Sequence, residues 1–174
     1  MSDTRRLFFA LWPDERVRRQ LDTIARQYRP AKSRAIPKPS LHATLIFLGS
    51  MPEILLPVIV QAGASIEPRA LTLTLQQLQV WRKPQVLCLC PESIPAALQQ
   101  LHDELAVALH RHEIPFDERS YRPHVTLARK VRQRVAVNQL PEAIDWSVSG
   151  FSLVESVSME RGVQYVPLHQ WQQG

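Results

Sequence analysis

Apolar residues recur along the chain with two periods, which separate the segments predicted to be strands from those predicted to be helices. Strands favour alternation of apolar and polar residues, or short apolar runs bounded by turn residues. On this basis we predict strands at Arg5 to Leu11, Leu41 to Leu48, Leu71 to Trp81, Val86 to Cys90 and His124 to Val131. The C-terminal part, from residue 144, predicts two more strands around a turn at Arg161 and Gly162.

Three segments have the spacing of buried helical stripes. The first helix opens at Pro13 and Asp14 and has one apolar face, formed by Val17, Leu21, Ile24 and Tyr28. A weaker helical pattern follows Pro52. The clearest helix has Ser93 as its N-cap, ends near His112 and carries apolar residues at Ile94, Leu98, Leu101, Leu105 and Leu109. Between the first helix and the next strand, the proline-rich segment 29–40 predicts a loop.

This order of elements predicts an α+β fold of mostly antiparallel sheets covered by helices. The chain has 174 residues, 45% of them hydrophobic, which is typical of one domain or of two tightly joined lobes. The N-terminus is too charged for a signal peptide, and no apolar run is long enough to span a membrane. Cys88 and Cys90 are too close in sequence for a useful disulfide, so we expect a cytoplasmic protein with reduced thiols.

The net charge of +5 permits an anionic partner such as nucleic acid. A basic run contains seven cationic residues against three acidic ones: Arg111, Arg119, Arg122, Arg129, Lys130, Arg132 and Arg134. Such a run is ordinarily a solvated surface. It carries more weight here because His124 lies inside it.

Two of the predicted strands carry the same pattern, HATL from His42 and HVTL from His124. Residues two apart in a strand share a face, so each strand offers an imidazole and a hydroxyl on one face and aliphatic side chains on the other. Two such strands across a cleft suit a phosphodiester reaction. One histidine can act as general acid and the other as general base, while hydroxyls bind phosphate oxygens.

The histidines also have other interpretations. A single histidine on a strand is usually structural, but two copies of one pattern argue for a shared site. Metal binding lacks a third ligand at matching spacing. We expect His102, His110 and His112 to be surface residues, and His169 has no evident partner. Aromatic residues that could stack on a base are Phe9, Trp12, Trp81 and Tyr121.

The two motifs resemble the paired His-x-Thr-x motifs of the two-histidine phosphoesterase superfamily. Within it, the chain resembles the bacterial RNA 2',3'-cyclic phosphodiesterases, also called 2'-5' RNA ligases. The resemblance covers nearly the whole chain, through RLFFALWPDE, LHATLIFLG, RPHVTLAR and LVESVSMERGVQYVPL. It implies a single two-lobed domain over residues 1–174, with antiparallel sheets and a central groove that carries both motifs.

The resemblance also implies a reaction, the opening of a terminal 2',3'-cyclic phosphate on RNA to a 2'-phosphomonoester. His42 resembles the proton donor to the departing 3' oxygen, and His124 resembles the proton acceptor that activates water. Thr44 and Thr126 would bind phosphate oxygens. No metal or other cofactor, no membrane and no obligate protein partner is implied, so a monomer is expected.

Arg129 also matches a frequent residue of the family and would bind the phosphate. It lies five residues after His124, so a regular strand would point it away from the site. Only a bulge or the end of the strand would bring it to the phosphate.

Four functions remain open at this point. The first is the RNA cyclic phosphodiesterase, and the second is 2'-5' ligation in the same site, with an RNA hydroxyl in place of water. The third is a phosphodiesterase for small cyclic nucleotides. The last is a module that binds RNA ends without turnover, although two intact motifs argue against it.

Overall fold

The computed structural model describes residues 3–135 and 138–174, which contain three α-helices and nine strands. The helices are α1 (Glu15–Tyr28), α2 (Leu56–Ala64) and α3 (Ala96–Arg111). The strands before α3 are β1 (Thr4–Leu11), β2 (Arg34–Ala35), β3 (Ala43–Pro52), β4 (Leu71–Trp81) and β5 (Val86–Cys90). The strands after it are β6 (Val125–Arg129), β7 (Gln139–Val148), β8 (Gly150–Met159) and β9 (Gly162–Gln172).

The strands form one antiparallel sheet in the order β7-β4-β5-β6-β3-β1-β8-β9, with the short β2 paired to β6. The sheet has two halves of four strands each. We call β3, β1, β8 and β9 the first half and β6, β5, β4 and β7 the second half. A single residue pair, Ala43 with Val125, joins the halves through β3 and β6. The predicted α+β class with mostly antiparallel pairing is confirmed.

Each half contains a strand–helix–strand unit that ends in a motif strand. In the first half the unit is β1–α1–β3, and in the second it is β5–α3–β6. In both units the two strands are antiparallel neighbours. This repetition agrees with an internal duplication of the histidine motif, and it puts both motif strands next to each other in the middle of the sheet.

The two faces of the sheet have different roles. One face packs under the helices and forms the main core, to which Phe9 and Trp146 contribute large buried side chains. Residues that alternate with this core form small apolar clusters on the other face. In the first half that cluster is Phe8, Ala10 and Val154, and in the second half it is Val86, Cys88 and Cys90. The functional residues lie on the same face of the sheet as these clusters.

The predicted helices exist, but one cap was wrong. Asp14 caps α1 as predicted, since its carboxylate accepts a hydrogen bond from the Val17 N–H at 2.8 Å. Helix α3 begins at Ala96 after Pro95, which makes no side-chain cap, and Ile94 is 37% exposed. Proline is well suited to a helix start because its fixed φ matches the entry and it has no N–H to satisfy. Ser93 therefore lies outside the helix.

The strand boundaries also differ from the prediction. His42 and His124 each lie immediately before their strands rather than within them. The loop at residues 29–40 contains β2 and a short 3-10 turn at Lys38–Ser40. The C-terminal part forms three strands because the extended segment is interrupted at Ser149, between β7 and β8. Among the described residues, no helix is long and apolar enough to cross a membrane.

Candidate active site

Both histidine motifs lie at the single pair that joins the two halves of the sheet. Ala43 and Val125 form this pair and point into the core with no exposed surface. The residues on either side of them point to the opposite face, which is the face of the groove. These flanking residues are His42 and Thr44 on either side of Ala43, and His124 and Thr126 on either side of Val125. Extending the antiparallel register by one residue places each histidine across from the threonine of the other motif.

The backbone orients both imidazole rings in the same way. His42 Nδ1 lies 2.7 Å from the carbonyl oxygen of Ser40, and His124 Nδ1 lies 2.7 Å from that of Arg122. A carbonyl oxygen can only accept, so each Nδ1 carries a proton in every charge state of the ring. The proton that each ring gains or loses is therefore on Nε2. His42 Nε2 lies 3.2 Å from Thr44 Oγ1.

A β-bulge brings Arg129 to the face of the groove. Thr126 pairs with Cys88, whereas Ala128 pairs with the residue just before Cys88, so the register skips Leu127. The bulge adds one residue to β6 and reverses the alternation of its side chains. Arg129 therefore shares a face with Thr126 and lines the same groove. The strand thus contains a bulge of the kind needed to turn Arg129 toward the same face as His124 and Thr126.

The first half has the same bulge. Thr44 pairs with Ala10, whereas Ile46 pairs with the residue just before Ala10, so the register skips Leu45. Phe47 consequently shares a face with Thr44 and also lines the groove. In both motifs the leucine is the extra residue, and the residue three positions after the threonine points toward the site. Phe47 thus occupies the position in the first half that Arg129 occupies in the second.

The groove between the halves has a volume of about 810 Å³ and a cationic lining. Its cationic side chains are Arg6, Lys83, Arg119, Arg122 and Arg129. Three members of the basic run from residue 111 to 134 thus face the groove, and the other four do not. Arg119 is neutralised by Asp117, whose Oδ1 accepts from its Nε at 2.9 Å. Interpreting the run as plain solvated surface is therefore wrong for the members that line the groove.

Aromatic rings enclose His42. The centroids of Phe8 and Tyr165 each lie 5.0 Å from the imidazole centroid, and Trp12 stacks on it at 5.8 Å. Burial among these rings lowers the pKa of His42 to about 4, and the Ser40 carbonyl only partly offsets this. Free of ligand, His42 is therefore neutral at neutral pH.

His124 lies in a more open and more polar environment. Trp81 is its aromatic neighbour, with ring centroids 4.4 Å apart, and the Arg122 guanidinium lies over the Trp81 ring at 4.3 Å. Burial is the main cause that lowers the pKa of His124, with smaller contributions from Arg122 and Arg129. A neutral imidazole with a free Nε2 lone pair is the form that can accept a proton.

The family model of the 2'-5' RNA ligase superfamily matches residues 13–159, most of the chain. The chain belongs to this superfamily. It is 29% identical to the RNA 2',3'-cyclic phosphodiesterase of Escherichia coli over 174 residues, covering 98% of each protein. It is 28% identical to the enzyme of the same name from Thermus thermophilus, covering 95% of this chain and 89% of that one.

Solved structures of the superfamily share the fold. The structure of E. coli LigT complexed with 3'-AMP has a TM-score of 0.89 and 26% identity, covering 98% of each chain. The complex of the same protein with phosphate has a TM-score of 0.86 and 26% identity, again covering 98% of each chain. The resemblance to bacterial RNA 2',3'-cyclic phosphodiesterases that the motifs indicated is confirmed by these relatives.

Sequence reasoning missed Arg18, a buried residue behind the first motif of this superfamily member. Only 8% of it is exposed, and its guanidinium donates to the carbonyl oxygens of Pro39 at 2.6 Å, Lys38 at 3.2 Å and Pro13 at 3.0 Å. It also lies over the ring of Trp12 at 5.2 Å. Arg18 thereby holds the turn that leads to His42. The sequence contains little that predicts this role of Arg18. Only the prolines of the turn indicate backbone carbonyl oxygens that have no partner in a strand.

The other aromatic residues and histidines considered from the sequence lie in the core, in the groove or on the surface. Phe9 has no exposed surface and belongs to the core, so it cannot stack on a ligand. His102 is not a plain surface residue, because it stacks on Tyr121 with centroids 4.4 Å apart and both line the groove. His110 is exposed and pairs with Glu118 at 3.1 Å. In the parts of the chain that the structure describes, no three side chains of His, Cys, Asp or Glu cluster closely enough to hold a metal ion.

Proposed function

We propose that the chain is a metal-independent RNA 2',3'-cyclic phosphodiesterase that opens terminal cyclic phosphates to 2'-phosphomonoesters. The observation that carries this proposal is the pair of His–Thr motifs around one residue pair, with each ring held through Nδ1 so that Nε2 is the nitrogen that gains or loses a proton. Relatives that align over nearly the whole chain are named for this activity, which supports it further.

The proposed reaction is an in-line displacement at phosphorus. His124 Nε2 takes a proton from water as the water oxygen bonds to phosphorus. The bond from phosphorus to the 3' oxygen breaks on the opposite side, and His42 Nε2 gives its proton to that oxygen. The products are a 2'-phosphomonoester and a free 3'-hydroxyl. Each histidine then holds the proton state that the other began with, so proton exchange with solvent restores the pair.

Thr44, Thr126 and Arg129 are assigned to the non-bridging phosphate oxygens. Both threonines flank the residue pair that joins the halves, and the bulge at Leu127 puts Arg129 on the same face. Donors held in advance at these oxygens stabilise the charge that develops in the transition state. The guanidinium adds a fixed positive charge, which strengthens such hydrogen bonds.

The proposed acid role of His42 depends on the substrate. A pKa of about 4 leaves this imidazole neutral in the empty site. A phosphate placed against Nε2 brings a negative charge into an enclosed environment, and that charge favours the imidazolium form. The bound substrate therefore favours protonation of His42, the proposed acid. Without substrate, both imidazole rings are neutral at neutral pH.

The cationic lining favours RNA ends over small cyclic nucleotides. A cyclic mononucleotide has one phosphate, which Arg129 and the threonines can satisfy. Lys83 and Arg122 also line the groove, and an RNA strand offers further phosphates for them. We further propose that residues 1–174 act as one two-lobed catalytic domain, as a monomer in the cytoplasm.

The decisive experiment is incubation of an RNA oligomer bearing a 2',3'-cyclic phosphate in excess chelator. We expect full conversion to the 2'-phosphate, identified by phosphorus NMR, with His42→Ala and His124→Ala variants as controls for contaminating activity. A 2',3'-cyclic mononucleotide run in parallel should be a poorer substrate. A 3'-phosphate product, or activity that chelator abolishes and zinc or manganese restores, would contradict the proposal. Equal turnover of the mononucleotide would favour the small-nucleotide function.

A further inference from the structure

Cationic residues gather in three segments that contain no acidic residue. Segments 29–40, 82–91 and 129–141 carry four, two and four Lys or Arg residues, respectively. Nearly half of the 21 basic residues of the chain thus lie in these segments, whereas all 16 acidic residues lie elsewhere. Such a separation of charge produces a strong local field that favours an anionic partner.

The three segments meet at one end of the second half of the sheet. Arg34, in β2, pairs with Arg129 on one side of β6, and Val86 pairs with Arg129 on the other side. After β6 the chain stays beside the turn between β4 and β5, because the Val131 N–H donates to the Gln85 carbonyl oxygen at 2.9 Å. Backbone hydrogen bonds therefore hold residues from all three segments in one surface.

We call this surface the basic end and define it by six exposed side chains: Arg34, Arg82, Lys83, Arg129, Lys130 and Arg132. Among the residues that the structure describes, none of the six has a carboxylate within 4.0 Å, in contrast to Lys38, which pairs with Glu15. Lys83 and Arg129 also line the groove, so the basic end adjoins the groove. Unpaired cations held next to one another repel, and a bound polyanion relieves this repulsion.

The basic end differs from the groove in having no aromatic side chains. The three segments contain no Phe, Tyr, Trp or His, whereas Phe47, Trp81 and Tyr165 line the groove. Proteins that bind single-stranded RNA combine cations with aromatic rings on which unpaired bases stack. Double-stranded RNA hides its bases and is bound through its phosphates and its shape. The groove therefore suits an unpaired RNA end, and the basic end suits a duplex.

A membrane surface fits the basic end less well than RNA does. Surfaces that bind bilayers commonly add apolar side chains that enter the lipid. In the part of the chain that the structure describes, none of the large exposed hydrophobic side chains lies in the three segments; they are Ile54, Ile94, Val107, Met159 and Val163. The basic end thus offers charge without apolar anchors, which is what RNA phosphates require.

We propose that the basic end binds the duplex stem of an RNA whose unpaired 3' tail carries the cyclic phosphate into the groove. This inference rests on the proposed function and narrows its substrate class to RNAs with a stem close to the reacting end. Lys83 and Arg129 lie at the junction, where the strand passes from the stem into the groove. Such an RNA contacts the protein at two linked sites, so it binds more tightly than a tail alone, and the chemistry at phosphorus is unchanged.

The test compares two RNAs with the same short 3' tail and the same cyclic phosphate. In one RNA the tail follows a hairpin stem, and in the other it follows an unpaired segment of equal length. With wild type, the hairpin RNA should have the lower KM and the same kcat. Arg132→Gln should raise the KM of the hairpin RNA by about twofold to fivefold, as expected for loss of one exposed ion pair. It should also reduce the salt slope of kcat/KM by about 0.9, the value for one phosphate contact with a duplex.

Two further variants test whether the effect belongs to this surface. Arg82→Gln changes another segment of the basic end, so it should have the same effects as Arg132→Gln although the two residues are distant in sequence. Arg111→Gln is the matched control, the same substitution at another exposed arginine of the basic run. Helix α3 ends beside the first half of the sheet, since the Asp117 N–H, close to the end of α3, donates to the Phe47 carbonyl oxygen at 2.9 Å. Arg111 therefore lies away from the basic end, and its loss should change neither KM nor the salt slope.

Equal KM values for the two RNAs in wild type would overturn the inference. So would Arg132→Gln and Arg82→Gln variants that weaken both RNAs by the same factor, because the basic end would then bind unpaired strands. Phosphatidylserine vesicles that bind wild type more tightly than the hairpin RNA does would assign the surface to a membrane instead. Fluorescence anisotropy of the labelled hairpin RNA measures binding without turnover. Hairpin binding that depends on Arg132, without turnover of either RNA, would overturn the proposed function while leaving the duplex-binding surface in place.

Discussion

The two halves of the sheet use the same backbone to present their motifs. In each, a carbonyl two residues before the histidine lies 2.7 Å from Nδ1. In each, the motif leucine is skipped by the register, and the residue three positions after the threonine points to the groove. The geometry of the site is thus repeated, and it depends on local backbone features that any duplicated copy would inherit.

The side chains added to this backbone differ between the halves. Phe47 in the first half corresponds to Arg129 in the second, and Ala10, the strand partner of Thr44, corresponds to Cys88, the strand partner of Thr126. His42 is enclosed by three aromatic rings, whereas Trp81 is the one aromatic ring beside His124 among the residues that the structure describes. The repeated backbone supplies two equivalent imidazoles, and their different surroundings suit the proposed roles of acid and base.

The largest effect on the rate is expected when each histidine is removed in turn. We expect His42→Ala and His124→Ala each to lower kcat by about 10²-fold to 10⁴-fold, the usual contribution of a general acid or base. A substrate with sulfur in place of the bridging 3' oxygen should restore His42→Ala but not His124→Ala, because a thiolate leaves without a proton. Rates with the oxygen and sulfur substrates measure this directly.

The matched control for the histidine variants is His110→Ala, which changes an exposed residue outside the groove. It should keep wild-type kcat with both substrates. If sulfur restored His124→Ala instead, the acid and base assignments would have to be exchanged.

The shared face of each motif could be predicted from the sequence because strand side chains alternate with a period of two. The position of Arg129 could not, because Leu127 looks like any other strand residue and nothing in HVTLAR marks it as a bulge. The enclosure of His42 was equally hidden. It depends on Trp12 and Tyr165, which are distant in sequence and meet only when β1, β3, β8 and β9 come together.

A smaller effect should separate Arg129 from its counterpart Phe47. Arg129→Gln should lower kcat by about tenfold to a hundredfold, since a hydrogen bond to a charged group contributes about 1.5–3 kcal/mol. Phe47→Leu removes only an aromatic surface of the groove. It should raise KM by about tenfold and change kcat little, as expected for loss of a stacked base. Steady-state kinetics on a cyclic-phosphate RNA give both values, and similar losses of kcat in the two variants would contradict the distinction.

The smallest expected effect concerns the charge state of His42. Sulfate, which remains a dianion from pH 4 to 8, should bind in place of phosphate and raise the pKa of His42 from about 4 by about one unit or more. The rise should be smaller for His124, which is less enclosed. Proton NMR titrations with and without sulfate measure both rings, with His42→Asn to assign the signals. A pKa of His42 that sulfate leaves unchanged would show that no anion binds against Nε2.

The same low pKa makes His42 a cost to stability in acid. Its folded pKa lies below the value near 6.5 of an unfolded histidine, so the unfolded chain takes up the proton first as pH falls. Stability is therefore complete above pH 6.5 and declines toward pH 4, by roughly 3 kcal/mol from this one ring. Urea unfolding at both pH values should show this decline in wild type and a shallower one in His42→Asn, because carboxylates titrate alike in the two proteins. Sulfate should reduce the difference, since it stabilises the charged ring in the folded state. Equal declines in the two proteins would mean that the aromatic enclosure does not desolvate His42, and that the two halves treat their histidines alike.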